Sequence, residues 1–329
     1  MRSAIQDRLV RGERLLLDGG TGSELQRRGV NVSKGSSVEG GLGAWSAPAV
    51  EEAPEVLRAI HEDYLRLGVD VVTANSYNTN RGQLHRVGLA HRMEELSRRA
   101  VEIAREARDQ VAPDAGVAGS IAPTTRFPTG WDPARVASTA SLLREWSDQV
   151  AVLREAEADL ILIESMSAIF QLLPAVRAAR GSGLPVWLGV HATIAGTMTS
   201  GESMDELVRT LEADGLEVDA ILLMCSAPAA ITATLPKLRE AFPGVTGAYA
   251  NIGYRRGPVA AQYPETQYHV IDIGENTPER YAEHGRAWRD LGAQIIGGCC
   301  ATTPDHIAAL RPVVEEPTQG VRQRGGSRG

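Results

Sequence analysis

Leu15-Leu16-Leu17-Asp18-Gly19-Gly20-Thr21-Gly22-Ser23-Glu24-Leu25 is an apolar run that ends in an acid and a cluster of glycines. A strand-to-helix turn of this kind opens both of the common α/β architectures, and the glycine spacing separates them. Counted from Gly20 the chain reads Gly-x-Gly, but Leu25 stands where a dinucleotide fingerprint needs its third glycine. No phosphate-binding P-loop follows elsewhere in the sequence. An open doubly wound sheet is therefore the weaker reading. Working outward, eight β-branched or apolar runs recur, at 14–18, 69–74, 116–121, 160–163, 186–190, 220–224, 245–250 and 294–297. The intervening stretches carry helical spacing, as in Val56, Ile60, Tyr64 and Leu67, or Tyr281, His284, Trp288 and Leu291. Eight strand and helix pairs predict an α/β fold, a single-domain (β/α)8 TIM barrel over residues 1–311. Residues 312–329 have little to bury and are expected to form a disordered tail.

The chain has 329 residues, 43% of them hydrophobic, enough for a large core. A net charge of −7 gives no electrostatic reason to bind nucleic acid or anionic lipid, so the expected partners are small molecules. The first residues carry no apolar leader and no stretch approaches the ~18 apolar residues of a membrane span, so a cytoplasmic protein with no membrane partner is expected. Two long loops, 31–49 and 253–276, fall after the first and seventh strands and are expected to wall the catalytic face.

All three cysteines sit at the C-terminal ends of predicted strands, Cys225 after the sixth and Cys299 and Cys300 after the eighth. A lone strand-end cysteine is usually core filler, but three on one barrel face can converge, with Gly297 and Gly298 letting the chain turn. Three thiolates suit Zn²⁺ and leave its fourth position open. So much negative charge weakens the ion towards water and favours another soft ligand, hence a thiol substrate. Asp18 and Glu164 end the first and fourth runs, where each either caps a strand at the surface or faces the site. The backbone of Gly19, Gly20 and Thr21 could cradle a carboxylate. An amino acid carrying a thiol would satisfy these features together.

These residues resemble the homocysteine S-methyltransferase family, over about residues 15–310. The resemblance is carried by 17–25, Trp45-Ser46, Thr73-Ala74-Asn75-Ser76-Tyr77-Asn78, Glu164, and Gly297-Gly298-Cys299-Cys300-Ala301-Thr302-Thr303-Pro304-Asp305-His306-Ile307. It implies a (β/α)8 barrel with Cys225, Cys299 and Cys300 as zinc ligands and homocysteine sulfur as the fourth. It also implies that Asp18 and Glu164 bind the substrate ammonium, that Gly19 to Thr21 receive its carboxylate, that Thr73 and Tyr77 line the pocket, and that Asn251 lies near the metal. Two departures stand out: Ile252 replaces a serine, and Met224 precedes Cys225 where the family usually has Asn.

The implied reaction moves a methyl group from a sulfonium donor, S-methylmethionine or S-adenosylmethionine, to the thiol of homocysteine, giving methionine. The leaving group is then a neutral thioether and needs no general acid. Methylfolate would require protonation or a cobalamin relay, and the extra modules for one are not expected within 329 residues. Betaine would call for an aromatic cage, with Trp45, Tyr77, Phe127 and Trp131 as loop candidates. The same residues are also compatible with a different thiol or selenol acceptor, with a zinc-dependent hydrolase or lyase using His191 as base, and with a noncatalytic thiol- or zinc-binding barrel.

Overall fold

Alternation along the strands determines which side chains enter the barrel. In a computed structural model, residues 4–32, 44–124, 139–256 and 269–316 are described. Ten strands occur among them: β1 Leu15–Leu16, β2 Val71–Thr73, β3 Gly116–Ile121, β4 Leu160–Met166, β5 Val186–Val190, β6 Ala220–Met224, β7 Val245–Ala250, β8 Tyr254–Arg256, β9 His269–Ile271 and β10 Ile295–Gly298. Eight form one parallel sheet in the order β1-β10-β7-β6-β5-β4-β3-β2. A parallel bridge between Leu17 and Val71 joins its two ends and closes the barrel. This is the (β/α)8 TIM barrel expected from the sequence. β8 and β9 pair antiparallel in a ribbon within the 253–276 loop, an element the sequence does not announce.

Successive residues point to opposite faces, so Leu160 and Leu162 join Trp187, Leu222 and Tyr249 in an inner cluster, while Ile161, Ile163, Leu188 and Leu223 face the helices. The helices are α1 Ala4–Val10, α2 Thr21–Arg27, α3 Ala49–Glu52, α4 Pro54–Arg66, α5 Arg81–Leu84, α6 Met93–Val111, α7 Thr139–Glu155, α8 Ile169–Arg180, α9 Met204–Ala213, α10 Pro228–Ala241, α11 Pro278–Asp290 and α12 Pro304–Glu315. None of the described helices is long and apolar enough to cross a membrane. α12 runs through Pro312 to Glu315 and buries Val313, so the boundary expected at 312 falls inside a helix; residues 317–329 of the expected tail lie outside the described residues.

The N-terminal end of the barrel is plugged. α1 sends Ile5 and Leu9 into the inner cluster. An aspartate stands immediately before each of β2, β4 and β6, and its carboxylate accepts a backbone N–H near the start of the preceding strand. Asp70 takes Leu16 N at 2.7 Å, Asp159 takes Val117 N at 2.8 Å and Asp219 takes Val186 N at 2.8 Å. Each satisfies an otherwise unpaired donor and fixes the stagger of two strands. Stabilising groups thus gather at this end, leaving the opposite rim for chemistry.

Candidate active site

The three cysteines converge at that opposite rim. Cys225 follows β6 with φ of 45°, a left-handed conformation that non-glycine residues adopt at a cost and that turns its thiol inward. Its N–H donates to Tyr249 O at 2.9 Å, and Cys299 N donates to Ala250 O at 3.0 Å. The Cys225 and Cys300 sulfurs lie 3.7 Å apart and those of Cys299 and Cys300 3.9 Å apart. All three Sγ atoms fall within 4.8 Å of one another, and each cysteine is partly exposed to the barrel mouth. Sulfurs bonded at ~2.3 Å to one tetrahedral ion are separated by about 3.8 Å, so the cluster fits a metal of that kind. Hydrogen bonds from Cys299, Cys300 and His191 hold the Cys225 thiol well below its ordinary pKa, whereas Cys299 is pushed well above by the same sulfur neighbours. Three such thiols cannot all ionise without a cation among them.

The cysteine turn is braced against the first βα turn. Thr302 Oγ1 donates to Cys299 O at 2.7 Å and accepts Gly20 N at 3.1 Å. Ser23 Oγ accepts Ala301 N at 3.0 Å and donates to Gly20 O at 2.9 Å. Arg27 Nη2 donates to Ala301 O at 2.7 Å. The N–H of Gly20, expected to face a substrate carboxylate, is thus already engaged by Thr302.

Two buried carboxylates complete the mouth. Asp18 accepts from Thr73 N at 2.7 Å and from Thr73 Oγ1 at 2.9 Å. Glu164 accepts from the Ser120 hydroxyl on β3 and, at 3.2 Å, from Tyr249 OH on β7. Burial pushes Asp18 up to about 7 against the Thr73 hydrogen bonds. Burial likewise pushes Glu164 up to about 7, with the nearby charges of Asp18 and Cys225 adding to the rise. Glu164 points inward because it continues the inward set of Leu160 and Leu162. The strand then bulges at Ser165, whose φ is 58°, and the register with β5 shifts between Ile163 and Met166.

The sequence alone does not single out Ser120 and Tyr249. A signal for them is present: both are polar residues at inward positions of strands, Ser120 two residues after inward Ala118. Gly189 makes room for Tyr249 and Met224, since a Cβ there would lie 2.7 Å from Tyr249 OH and 3.0 Å from Met224 Cγ. Met224 itself is buried in the barrel, and its sulfur accepts Ser165 N at 3.2 Å. Tyr77 is half-buried in the turn after β2. Asn251 leaves β7 between the two cysteine segments, its N–H donating to Ser226 O and its Oδ1 accepting Gly253 N, both at 3.1 Å.

Among the aromatic candidates, Trp45 is buried with its ring over Gly22 at the start of α2, where a Cβ would collide with Nε1. Ser46 beside it exchanges hydrogen bonds with Asn75, tying this loop to the end of β2. Phe127 and Trp131 lie outside the described residues.

The family model described as homocysteine S-methyltransferase matches residues 15–314. The chain is 29% identical to the homocysteine S-methyltransferase of Escherichia coli, covering 90% of this chain and 94% of that protein. It is 26% identical to the selenocysteine Se-methyltransferase of Brassica oleracea var. italica, over 90% and 87% of the two chains. Methionine synthase of Mycobacterium leprae is 29% identical over 94% of this chain, which spans only 25% of that protein's length. Among solved structures, the oxidized form of the E. coli homocysteine methyltransferase MmuM superposes with a TM-score of 0.73 at 25% identity, covering 92% of this chain and 97% of that one. The match to the family model spans the whole barrel, including both cysteine segments and both carboxylates, and the chain belongs to the homocysteine S-methyltransferase family.

Proposed function

We propose that the protein transfers a methyl group from a sulfonium donor, S-methylmethionine or S-adenosylmethionine, to the thiol of homocysteine, with Zn²⁺ held by Cys225, Cys299 and Cys300. The observation carrying this reading is the placement of two buried carboxylates beside three converging thiols, a match for a substrate with an ammonium at one end and a sulfur at the other. A bound ion would present the substrate thiol as thiolate at neutral pH. Asp18 and Glu164 receive the ammonium, Thr73, Ser120 and Tyr249 hold their oxygens in place, and Asn251 and Tyr77 border the pocket. Among the backbone groups assigned to the carboxylate, those of Gly19 and Thr21 remain to receive it. A neutral thioether leaves, so no side chain must deliver a proton; orientation and exclusion of water are what the barrel supplies. A hydrolase on this barrel would need His191 as a free base, and its Nδ1 instead lies 3.4 Å from the Ser167 hydroxyl, with the imidazole helping to hold down the Cys225 thiol. Incubating the metal-loaded protein with homocysteine and either sulfonium should yield methionine; no methionine from either donor would overturn the reading.

The pH dependence follows from the two carboxyls. In the unfolded chain Asp18 and Glu164 ionise near 3.8 and 4.5, whereas in the folded, ligand-free protein they hold their protons to about 7. Between those limits the folded state binds more protons than the unfolded one, so their contribution to stability falls as pH rises through the window and levels off above it. The Tm of wild type relative to Glu164→Gln should therefore decrease from pH 5 to pH 8. An increase over that range would contradict the buried, protonated state. Homocysteine added at pH 8 should restore stability to the wild type, since the ammonium compensates the charges.

Met224 is open to a direct test. The Oδ1 of an asparagine stands as many bonds from Cα as the methionine sulfur, so Met224→Asn can keep the Ser165 N–H bond and gain a donor beside Cys225. The expected result is homocysteine methylation improved about 10-fold, the usual size of effects from groups that orient metal ligands. A fall instead, with activity on another thiol or selenol, would identify Met224 as part of a pocket for a different acceptor.

A further inference from the structure

His306 belongs to the motif that follows the cysteine pair, and its ring is buried at the start of α12. Its Nδ1 accepts Thr303 N at 3.2 Å and lies 2.7 Å from Thr303 Oγ1, while its Nε2 lies 2.9 Å from Asn276 O. A backbone carbonyl can only accept and a backbone N–H can only donate. Two separate partners therefore fix one neutral tautomer, with its proton on Nε2. Burial favours that neutral form and lowers the pKa of the ring. Tyr281 of α11 packs edge-on against the imidazole at 5.7 Å, and its hydroxyl donates to Gly297 O at 2.7 Å and accepts Ala250 N at 3.1 Å.

Asn276 carries the contact to the cysteines. It closes the 253–276 loop two residues before α11, and its Nδ2 donates to Ile252 O at 3.3 Å and to Ile273 O at 3.1 Å. Ile252 N in turn donates to Cys300 O at 3.1 Å. The helix cap, the end of the loop, the residue that precedes the loop and the cysteine turn are thus tied through one imidazole. Glu or Gln is the usual residue at this third helical position, where it meets the N-cap N–H. A histidine does the same and adds a rigidly placed donor on its far side.

We infer that His306 is a positioning residue for the metal centre: it pins Asn276, whose amide holds Ile252 against the Cys300 carbonyl and so sets where the Cys300 sulfur points. This rests on the reading of the three cysteines as a metal site.

The test uses the full chain and Zn²⁺, with affinity from chelator competition and Tm from thermal unfolding of the metal-free protein. Wild type is compared with His306→Glu, His306→Gln, Asn276→Ala and the double variant His306→Glu/Asn276→Ala. His306→Glu can still accept Thr303 N but has no donor for Asn276 O, so it should bind Zn²⁺ about 10-fold more weakly. His306→Gln has the same size and regains a donor, and should lie close to wild type. Asn276→Ala keeps the carbonyl that His306 meets and removes only the amide, without changing charge. It should match His306→Glu, and it keeps the test open should that variant fail to fold. The double variant should bind no more weakly than the weaker single one, because groups acting along one path are not additive. If wild type binds zinc and both single variants match it, with only Tm lowered, His306 is a helix cap alone and the inference is overturned while the metal site stands. A glutamine variant as weak as the glutamate one, or losses that add in the double variant, would also overturn it. Wild type that takes up no zinc would remove the metal site and this inference together.

Discussion

Replacing any one of Cys225, Cys299 and Cys300 by serine is expected to abolish stoichiometric metal binding and lower methyl transfer on the order of 1000-fold, about 4 kcal/mol of transition-state stabilisation. A hydroxyl is a poor ligand because it does not ionise near neutral pH, and a site left with two sulfurs no longer encloses the ion. The short separations of 3.7 and 3.9 Å tie all three sulfurs to one point, so the three variants should behave alike. Metal content by elemental analysis and activity with homocysteine check this together. A serine variant that retained full occupancy would remove that cysteine from the ligand set. Removal of the ion by a chelator should reproduce the loss in wild type, with activity returning on addition of Zn²⁺ to reduced protein.

The second large effect concerns Glu164. Its carboxylate is buried, held by Ser120 and Tyr249, and shares the mouth with Asp18. Glu164→Gln keeps the shape and removes the charge. If this group reads the substrate ammonium, the change should raise KM for homocysteine about 10- to 100-fold, the equivalent of a lost charge-assisted hydrogen bond of roughly 1.5–3 kcal/mol. A thiol lacking the amino group has no charge for Glu164 to meet, so its KM should hardly move. Equal losses for both thiols would mean that Glu164 supports the architecture of the mouth rather than selecting the substrate. Asp18→Asn should follow the same pattern, because Thr73 can still donate to the amide oxygen.

The alternation of apolar runs and helical stretches is sufficient to specify the barrel, since eight strands each followed by a helix have one economical way to bury both faces. The strand-end positions of Asp18, Glu164, Cys225, Cys299 and Cys300 are likewise legible, because in a parallel barrel every strand ends at the same rim. Sequence order could not tell which of these groups approach one another. Cys225 and Cys300 are 75 positions apart and meet only because β6, β7 and β10 are neighbours in the sheet. The partners of Glu164 were hidden for the same reason: Ser120 and Tyr249 look like unremarkable residues of β3 and β7 until the barrel closes and turns both inward. His191 stands far from any cysteine in the chain, and it reaches Cys225 because β5 pairs with β6. The raised proton affinity of Asp18 and Glu164 is also a tertiary property, since it arises from burial, which no stretch of sequence possesses by itself. Local patterning is a matter of neighbours along the chain and determined the fold and the rim. The site's geometry and charge depend on neighbours in space, and only the closed barrel decided those.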